Sequence, residues 1–366
     1  MAGQFGTHRA YSVQEPVHFT MPIDRLPPEI LAECFLWYIR IYYHLPKTGA
    51  FNPRPSSYAW LIIRHVCRRW RQVALTSPEL SSYIWLTSPE CVYDLLNRSR
   101  NVQLHVCESQ STPSISYADF EARETAYILV LNHFERVVCG QLQLSIDVLN
   151  PFPSSDSTAT LPQKRVSIAR ELRLFFCLLS LTRTPQAFAH YDFPYLEDFF
   201  CGSGCIQMIG QMLGPSLRRL EFWDSLRLST LDDVVALLAR LTQLEELKLQ
   251  YALGKSGMIV TPTPPGSTQL PHLRVLDVLE YDCGSAAALL SRLIYPATTS
   301  VSLEFLRMSN GTFHEWMTET FLSHLRESDD ISCTFPPLRS ISISARALRS
   351  VEFKLWTDSR PSGKAE

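Results

Sequence analysis

Charged residues are scarce in this chain, and neither sign of charge dominates. They make up 19% of the 366 residues, and 34 basic against 36 acidic side chains leave a net charge of −2. Without a net positive field the chain has no long-range attraction for polyanions, so we expect it to bind neither nucleic acid nor a membrane. Hydrophobic residues reach 46%, which excludes the low-hydropathy, high-charge composition of a disordered chain.

Long apolar runs and a targeting segment are also missing. The longest run, LFFCLLSL, falls well short of the roughly 20 residues that a membrane-spanning helix needs. The first twenty residues have neither a basic start nor an apolar core. We therefore expect no signal peptide, and a soluble protein of the cytoplasm, the nucleus or both.

The ten cysteines have no regular spacing. Cys201 and Cys205 are the closest pair, and no second pair of Cys or His follows at the distance that a zinc site needs. A disulfide framework is typical of shorter, cysteine-dense chains. We expect buried reduced thiols and no bound metal.

No motif for a known reaction is complete. LGKS, at residues 253–256, would need glycine at position 249 to form a phosphate-binding loop, and Leu249 stands there. In GSGCIQ, at residues 202–207, Gln207 replaces the third glycine of a dinucleotide-binding fingerprint. Because no nucleophile, base and orienting group can be named, we predict no catalytic residue, no cofactor and no enzymatic activity.

What the sequence does contain begins with a small helical domain, after a flexible tail at residues 1–20. Pro28 suits the first turn of a helix that should run into the low 40s. Three prolines and a glycine predict a loop at residues 46–58. A further helix follows the loop and ends near Pro78. We assign residues 21–88 to this domain.

The second of these helices carries three arginines around one tryptophan, in VCRRWRQVALTSPEL. At helical spacing, one face collects apolar residues and the opposite face collects arginines. The apolar stripe consists of Ile63, Val66, Trp70, Val73 and Ala74, and the opposite face of Arg64, Arg68 and Arg71. We predict that the arginines are solvated and that the stripe contacts a partner, the core of its own domain, or both.

Beyond residue 88 an apolar pattern recurs about every thirty residues. The pattern L-x-x-L-x-L begins at Leu217, Leu244, Leu273, Leu303 and Leu338, with weaker versions at residues 102–106, 141–146, 171–176 and 195–201. The helical stretches between them are ADFEARETAYILVLNHFERV, CIQMIGQMLG, LDDVVALLARL, AAALLSRLI and FHEWMTETFLSHLRE. Strands and helices alternating at this period predict a solenoid of stacked parallel strands.

The predicted fold class is therefore α/β, with a small all-helical domain followed by an irregular leucine-rich-repeat solenoid. The solenoid occupies residues 89–357, its least regular part is residues 89–190, and residues 358–366 form a tail. Its strands should be parallel from about residue 100 onward, and the strand side should be concave. In each strand the leucines should face the core and the residues between them the outside.

Two stretches of the helical domain resemble the F-box, in the form found in large families of mushroom-type fungi. They are IDRLPPEILAECFLWYI and HVCRRWRQVALTSPELSSYIWL, and YDLLNRSRNVQLHV resembles the segment that commonly follows the F-box. Leucine-rich repeats are a usual companion of this domain. As a family, such proteins are substrate receptors of Skp, cullin and F-box (SCF) ubiquitin ligases. The resemblance implies that the F-box docks on a Skp-type adaptor, and through it on a cullin, while the repeats capture a protein substrate.

The resemblance also implies which residues contact the adaptor. By position they are Leu26, Pro27, Pro28, Ile30, Leu31, Val66, Cys67, Trp70, Val73 and Leu80. A domain this small hides little of its own surface, so a surplus of apolar residues independently favours a partner.

Substrate capture would use the outward side chains of the repeat strands. These are Arg219, Glu221, Trp223, Glu246, Lys248, Gln250, Asp277, Leu279, Phe305 and Arg307. Trp223 and Phe305 are the expected anchors, because aromatic residues dominate interface energies. Two alternatives stay open. In the first, this face is a plain solvated sheet surface that binds no substrate. In the second, the chain is a repeat scaffold whose F-box-like segment takes no part in ubiquitination.

Overall fold

The computed structural model describes residues 22–44, 58–108, 117–144, 165–176, 188, 191–202, 209–224, 231–253, 267–280, 283–296, 298–305, 340–347 and 350–356. Within these residues the protein is an α/β structure, built around one large and mainly parallel sheet with helices in its connections. None of the described helices combines the length and apolar character that crossing a bilayer requires.

The described residues between 22 and 82, which we call the helical unit, form helices and turns and no strand. They are a 3₁₀ turn at Pro22–Arg25, α1 at Pro28–His44, a 3₁₀ turn at Ala59–Ile62, α2 at Ile63–Val66, α3 at Arg68–Thr76 and a 3₁₀ turn at Pro78–Ser82. The helix predicted to begin at Pro28 and to end in the low 40s is confirmed. The predicted loop at residues 46–58 lies, except for Tyr58, outside the described residues.

Residues 63–76 form two helices, and the prediction of one continuous helix is wrong. Cys67 separates α2 from α3 with an extended backbone (φ −155°, ψ 170°), and its sulfur accepts a hydrogen bond from the Trp70 backbone N–H at 3.4 Å. A residue that caps the start of a helix must leave helical geometry to reach that N–H group. The break separates Val66, which is exposed, from Val73 and Ala74, which are buried.

The described chain continues with fifteen strands and four helices. In chain order they are β1 (Tyr83–Leu86), α4 (Pro89–Ser99), β2 (Leu104–Glu108), α5 (Tyr117–Leu131), β3 (Val137–Leu144), β4 (Arg165–Val166), β5 (Glu171–Phe176), β6 (Tyr191–Asp192), β7 (Asp198–Gly202), β8 (Arg219–Trp223), α6 (Leu231–Ala239), β9 (Glu246–Gln250), β10 (Thr268–Gln269), β11 (Val275–Glu280), α7 (Cys283–Leu290), β12 (Leu293–Ile294), β13 (Ser300–Phe305), β14 (Ser340–Ala347) and β15 (Ser350–Trp356). A 3₁₀ turn at Phe134–Arg136 precedes β3.

Eleven of these strands form the large sheet, in the order β1-β2-β3-β5-β7-β8-β9-β11-β13-β15-β14. Every pairing from β1 to β13 is parallel, as predicted. The sheet begins at Tyr83, earlier than the expected start near residue 100. Helices α5, α6 and α7 confirm three of the five predicted helical stretches. Of the stretch at residues 205–214, residues 205–208 lie outside the described residues and 210–212 form a turn. The stretch at residues 313–327 lies wholly outside the described residues.

The C-terminal end of the sheet contradicts the predicted parallel order. The pattern at Leu338 leads into β14, but β14 pairs with β15 antiparallel, and β15 pairs with β13 antiparallel. Only two residues connect β14 to β15, which is too short for the crossover that a parallel pair needs. The two strands therefore form a hairpin, and the parallel array ends at β13.

The repeat in β13 is also displaced from its prediction. Leu303 lies opposite Val278, the last apolar position of the preceding repeat, and Val301 lies opposite Leu276. Because the predicted pattern required leucine, it did not count Val301 as a core position. The predicted repeat therefore begins five residues too late. Phe305 is consequently in register with Glu280, the last residue of β11. Its predicted outward placement stays a prediction.

Repetition is most regular from β5 to β11. The backbone carbonyl of the residue before a strand accepts hydrogen bonds from two consecutive N–H groups at the start of the next repeat. These carbonyls belong to Arg170, Glu197, Arg218 and Glu245, with N···O distances of 2.7 to 3.1 Å. Asp224 and Tyr251, which directly follow β8 and β9, both have a positive φ, of 48° and 51°. Successive repeats thus share the same local backbone.

Two hydrophobic cores lie on either side of β1. Ile84 and Leu86, on one side of the strand, belong to the large core that extends to Leu303. Tyr83 and Trp85, on the other side, belong to the small core of the helical unit. The Tyr58 hydroxyl joins the two by donating to the Trp85 carbonyl at 2.5 Å and accepting from its N–H at 3.2 Å. One strand therefore serves both units.

Six cysteines are free thiols, namely Cys34, Cys67, Cys91, Cys107, Cys139 and Cys201. Cys107 and Cys201 are buried, as expected, but Cys34 and Cys67 are exposed. Cys34 lies on the outer side of α1, and Cys67 is exposed because it caps α3. The expectation of buried thiols is therefore correct for only part of the set. Cys205 lies outside the described residues.

Candidate binding surfaces

Large apolar side chains are exposed mainly in the helical unit. Of the eleven that are exposed in the described chain, seven lie between residues 23 and 66. They are Ile23, Ile30, Trp37, Tyr38, Ile41, Ile62 and Val66, and we call this set the apolar surface. A concentration of exposed apolar residues marks a binding site more often than does the same number scattered singly.

Helix α1 is apolar on two sides, which explains much of this surface. Leu31, Phe35 and Ile39 recur every fourth residue and lie in the small core. Trp37 and Ile41 are one turn apart on another side and are 59% and 58% exposed. A helix that is apolar all round is normally covered on all sides. That signal is readable in PEILAECFLWYIRIYYH, but the sequence prediction missed Trp37, Tyr38, Ile41 and Ile62.

The residues expected to contact the adaptor fall into three groups. Leu31, Val73 and Leu80 are buried in the small core, Leu26 and Trp70 are half-buried, and Pro27, Pro28, Ile30, Val66 and Cys67 are exposed. The buried group has almost no surface to offer, so its direct role is to hold the helical unit together. A partner can reach only the other two groups.

Trp70 packs within its own unit and still reaches solvent. Its ring centroid lies 4.9 Å from that of Phe35, with a tilt of 58° between the planes. The neighbouring Arg69 donates a hydrogen bond to the backbone carbonyl of Leu26, which ties the start of α3 to the segment that precedes α1. The two stretches that carry the family resemblance are therefore in direct contact.

Arg64 contradicts the prediction of a solvated arginine face, whereas Arg68 and Arg71 are exposed as predicted. Its guanidinium lies 5.4 Å from the ring centroid of Trp60, which is fully buried. Burial lowers the pKa of Arg64, and its Nε and Nη2 have no acceptor among the described residues. Arg64 lies four residues after Trp60, about one helical turn away, so its side chain packs on that ring.

The second surface is the side of the large sheet that points away from the large core, which we call the outer face. Burial alternates along β5, β8, β9 and β11, so that every second residue lies on this face. The predicted outward placement is confirmed for Arg219, Glu221, Trp223, Glu246, Lys248, Gln250, Asp277 and Leu279. In β13 the outward residues are Ser302 and Glu304, and Arg307 lies outside the described residues. Concavity of this face stays a prediction.

Parallel register arranges the outer face in three rows. The first row contains Glu171, Asp198, Arg219 and Glu246, the second Arg173, Phe200, Glu221, Lys248 and Asp277, and the third Phe175, Gly202, Trp223, Gln250 and Leu279. Charged residues fill most of the first two rows, and apolar residues most of the third.

An open pocket of about 340 Å³ lies over the first two rows. Its charged lining residues are Glu171, Arg173, Asp198, Arg219, Glu221, Glu246 and Lys248. The sequence prediction included Arg219, Glu221, Glu246 and Lys248 and missed the others. These residues could have been predicted too, because residues 171–176 and 195–201 are weaker versions of the same pattern. Alternate residues of those strands face outward in the same way.

Two ion pairs organise one half of the pocket. Arg219 contacts Asp198 at 2.8 Å, and Arg173 contacts Glu171 at 3.2 Å. Burial nevertheless raises the pKa of Asp198, and Arg219 offsets only part of that effect. Burial also raises the pKa of Glu221, against the opposing attraction of Lys248. The carboxylates are therefore less well compensated than they would be in water.

An aromatic cluster borders the pocket. The Phe200 ring centroid lies 4.7 Å from that of Phe175 and 5.6 Å from that of Trp223, and the Arg173 guanidinium lies 5.7 Å from the Phe200 ring. A Cβ at Gly202 would lie 2.9 Å from Phe175, so glycine makes room for that ring. Trp223 remains 45% exposed at the edge of the cluster.

Comparison with known proteins adds no relative: no protein-family model matches the chain, and a search of curated proteins found no match. In the described part of the chain, no group of three or more His, Cys, Asp or Glu side chains is arranged to hold a metal ion. Function is therefore inferred from the two surfaces themselves.

Proposed function

We propose that this protein is the substrate receptor of an SCF-type ubiquitin ligase. In this proposal the helical unit is an F-box that docks on a Skp-type adaptor. The parallel array is a leucine-rich-repeat domain that captures a protein substrate on its outer face. The observation that carries the proposal is the apolar surface, which concentrates seven exposed large apolar side chains in the helical unit.

The apolar surface supports docking on a protein rather than on a small molecule. It extends over the segment before α1, the solvent side of α1 and the residues around α2, and α1 packs against α3 and against the 3₁₀ turn at Ala59–Ile62. Aromatic and aliphatic side chains on a helix are the usual anchors of a helix-mediated protein contact. Ile30 and Val66, from the two stretches that resemble the F-box, are 51% and 56% exposed.

The shared strand β1 supports a receptor that holds a substrate at a fixed place. Since Tyr83 and Trp85 pack in the small core while Ile84 and Leu86 pack in the large core, the helical unit cannot turn relative to the sheet without disturbing one of them. Tyr83 also stacks on His105 of β2, with ring centroids 4.6 Å apart and planes 6° from parallel. A ligase requires such a constraint, because the substrate must be presented to the transfer enzyme.

The test measures binding of the purified full-length chain to purified Skp-type adaptor by isothermal titration calorimetry. We expect Ile30→Asp and Val66→Asp each to weaken binding about thirtyfold or more, because truncating or charging a central anchor costs about 2 kcal/mol or more. Both residues are exposed, so folding should be preserved. Arg68→Gln, an exposed change two residues from Val66, is the matched control and should alter affinity less than about threefold.

Trp70→Ala and Leu26→Ala provide a second pair of variants from the two resembling stretches. Because Trp70 packs on Phe35, circular dichroism and thermal melting must show that its variant is folded before binding is compared. If wild-type protein does not bind the adaptor, or if Arg68→Gln loses binding while folded Val66→Asp keeps it, the receptor proposal fails. The chain is then better described as a repeat scaffold.

A further inference from the structure

We propose that the pocket on the outer face binds a lysine or arginine side chain from an extended segment of a partner protein, with a large apolar residue of the same segment on Trp223. The inference rests on the proposed function only in taking this segment to belong to the substrate. Binding of the segment itself does not require the adaptor.

The charges of the pocket favour a cation. Its lining contains the carboxylates of Glu171, Asp198, Glu221 and Glu246 and the cations Arg173, Arg219 and Lys248. Two of the cations already form ion pairs with Glu171 and Asp198. Among the described residues, no lysine or arginine nitrogen lies within 4.0 Å of Glu221 or Glu246. The four carboxylates of the lining outnumber its three cations, so one negative charge remains uncompensated.

The neighbourhood of the pocket adds negative rather than positive charge. Asp277 lies opposite Lys248 in the second row, and Ser302 follows Asp277 in register. Glu304, on the outward side of β13, lies opposite Leu279. The outer face from β8 to β13 therefore carries more carboxylates than cations, and a basic segment would be drawn to it and held by it.

Partial burial of the pocket carboxylates strengthens their attraction for a new cation. A carboxylate that has lost part of its hydration gains more from a new cation than a fully solvated one does. The raised pKa values of Asp198 and Glu221 show that this loss is not made up by the cations already present. The pocket is also open, so a long basic side chain can enter from solvent.

The aromatic edge specifies the second residue of the segment. Trp223 follows Glu221 by two residues on β8 and is 45% exposed. Residues two apart on a strand are roughly 7 Å apart on the same face, which is also the repeat of side chains on one side of an extended peptide. A segment that runs along β8 would therefore place a basic residue in the pocket and an apolar residue, two positions away, on Trp223.

The first experiment selects binders to the immobilised full-length chain from a displayed pool of randomised ten-residue peptides. We expect enrichment of lysine and arginine over the unselected pool, with an apolar residue two positions away. The strongest selected peptide is then synthesised in two forms, unmodified and with its basic residue replaced by glutamine. Fluorescence polarisation should show at least about tenfold weaker binding for the second form, which corresponds to about 1.4 kcal/mol.

Variants of the protein locate the contact. Glu246→Gln and Glu221→Gln should each weaken binding of the unmodified peptide about tenfold and leave binding of the glutamine form unchanged. Glu245→Gln is the matched control, since it makes the same change of charge at the adjacent residue. Glu245 lies outside the pocket lining, where it contacts Arg218 at 3.0 Å and Arg274 at 3.6 Å. It should alter peptide binding less than about twofold.

Three results would overturn the inference. The selection could enrich acidic or uncharged peptides, Glu245→Gln could weaken binding as much as both pocket variants, or the two peptide forms could bind equally. Circular dichroism of each variant guards against unfolding. The adaptor is absent from this assay, so the two proposals can fail separately. If the chain binds the basic peptide but not the adaptor, the pocket assignment stands and the ligase role is lost. If it binds the adaptor but not the basic peptide, the ligase role stands and the pocket assignment is lost.

Discussion

The helical unit exposes seven large apolar side chains, whereas the outer face of the sheet presents mostly charged side chains in its first two rows. The sheet sorts its residues by a period of two, so most of the apolar ones enter one core and most of the charged ones remain outside. The helical unit has more apolar residues than its small core can cover, and Trp37 and Ile41 are left outside. This difference is the basis for proposing two binding modes in one chain, one dominated by apolar contact and one by charge.

The largest expected effect separates the two sides of a single strand. Leu249→Ala, at a fully buried position of β9, should lower the free energy of unfolding by about 2–5 kcal/mol, through lost burial and the cavity left behind. Lys248→Ala, one residue earlier on the outer face, should change it by less than about 0.5 kcal/mol. Urea unfolding followed by circular dichroism measures both. Similar losses for the two variants would contradict the assignment of inner and outer sides.

A smaller effect is expected at the junction of the two units. Tyr58→Phe removes the hydroxyl that bonds both backbone groups of Trp85, and should cost about 1–3 kcal/mol because those groups lose a partner in a largely buried place. Tyr93→Phe, at an exposed tyrosine, is the control and should have almost no effect. Hydrogen exchange should show faster opening of β1 only in the Tyr58 variant. Unchanged exchange there would mean that β1 does not couple the units.

The strands and most of the outer face could be predicted from sequence, because a period of two has few alternatives once the leucines are recognised. The displacement of β13 shows the limit of that reasoning. Val301 fills a core position as well as leucine does, so a search for leucine alone starts the repeat in the wrong place. The hairpin of β14 and β15 was missed because an apolar strand pattern does not encode the direction of pairing.

The helical unit was harder to predict. Helical periodicity treated residues 63–76 as continuous, and nothing in the composition marks Cys67 as a helix cap, a place usually taken by Ser, Thr, Asp or Asn. The exposure of Trp37 and Ile41 could have been inferred, since α1 is apolar on two sides and a single core covers only one of them.

The smallest expected effect is the pH dependence contributed by Glu221. Burial raises its folded-state pKa above the ordinary 4.5, so its contribution to stability is fully present below that value and is lost as the pH rises through the raised pKa. Glu221→Gln removes this loss. The stability of the variant relative to wild type should therefore increase between pH 4 and pH 7, as urea unfolding at several pH values would show. A constant difference would mean that Glu221 is no less solvated in the folded chain than in the unfolded one.

The central claim is that the apolar surface and the outer face bind different partners, and two exposed tryptophans allow it to be tested directly. Calorimetry would compare wild type, Trp37→Ala and Trp223→Ala, each titrated with purified Skp-type adaptor and with the selected basic peptide. We predict that Trp37→Ala weakens adaptor binding about thirtyfold and changes peptide binding less than twofold, and that Trp223→Ala does the reverse. If either folded variant lowers the affinity for adaptor and for peptide equally, or if Trp37→Ala binds the adaptor with wild-type affinity, the assignment of two separate surfaces is contradicted.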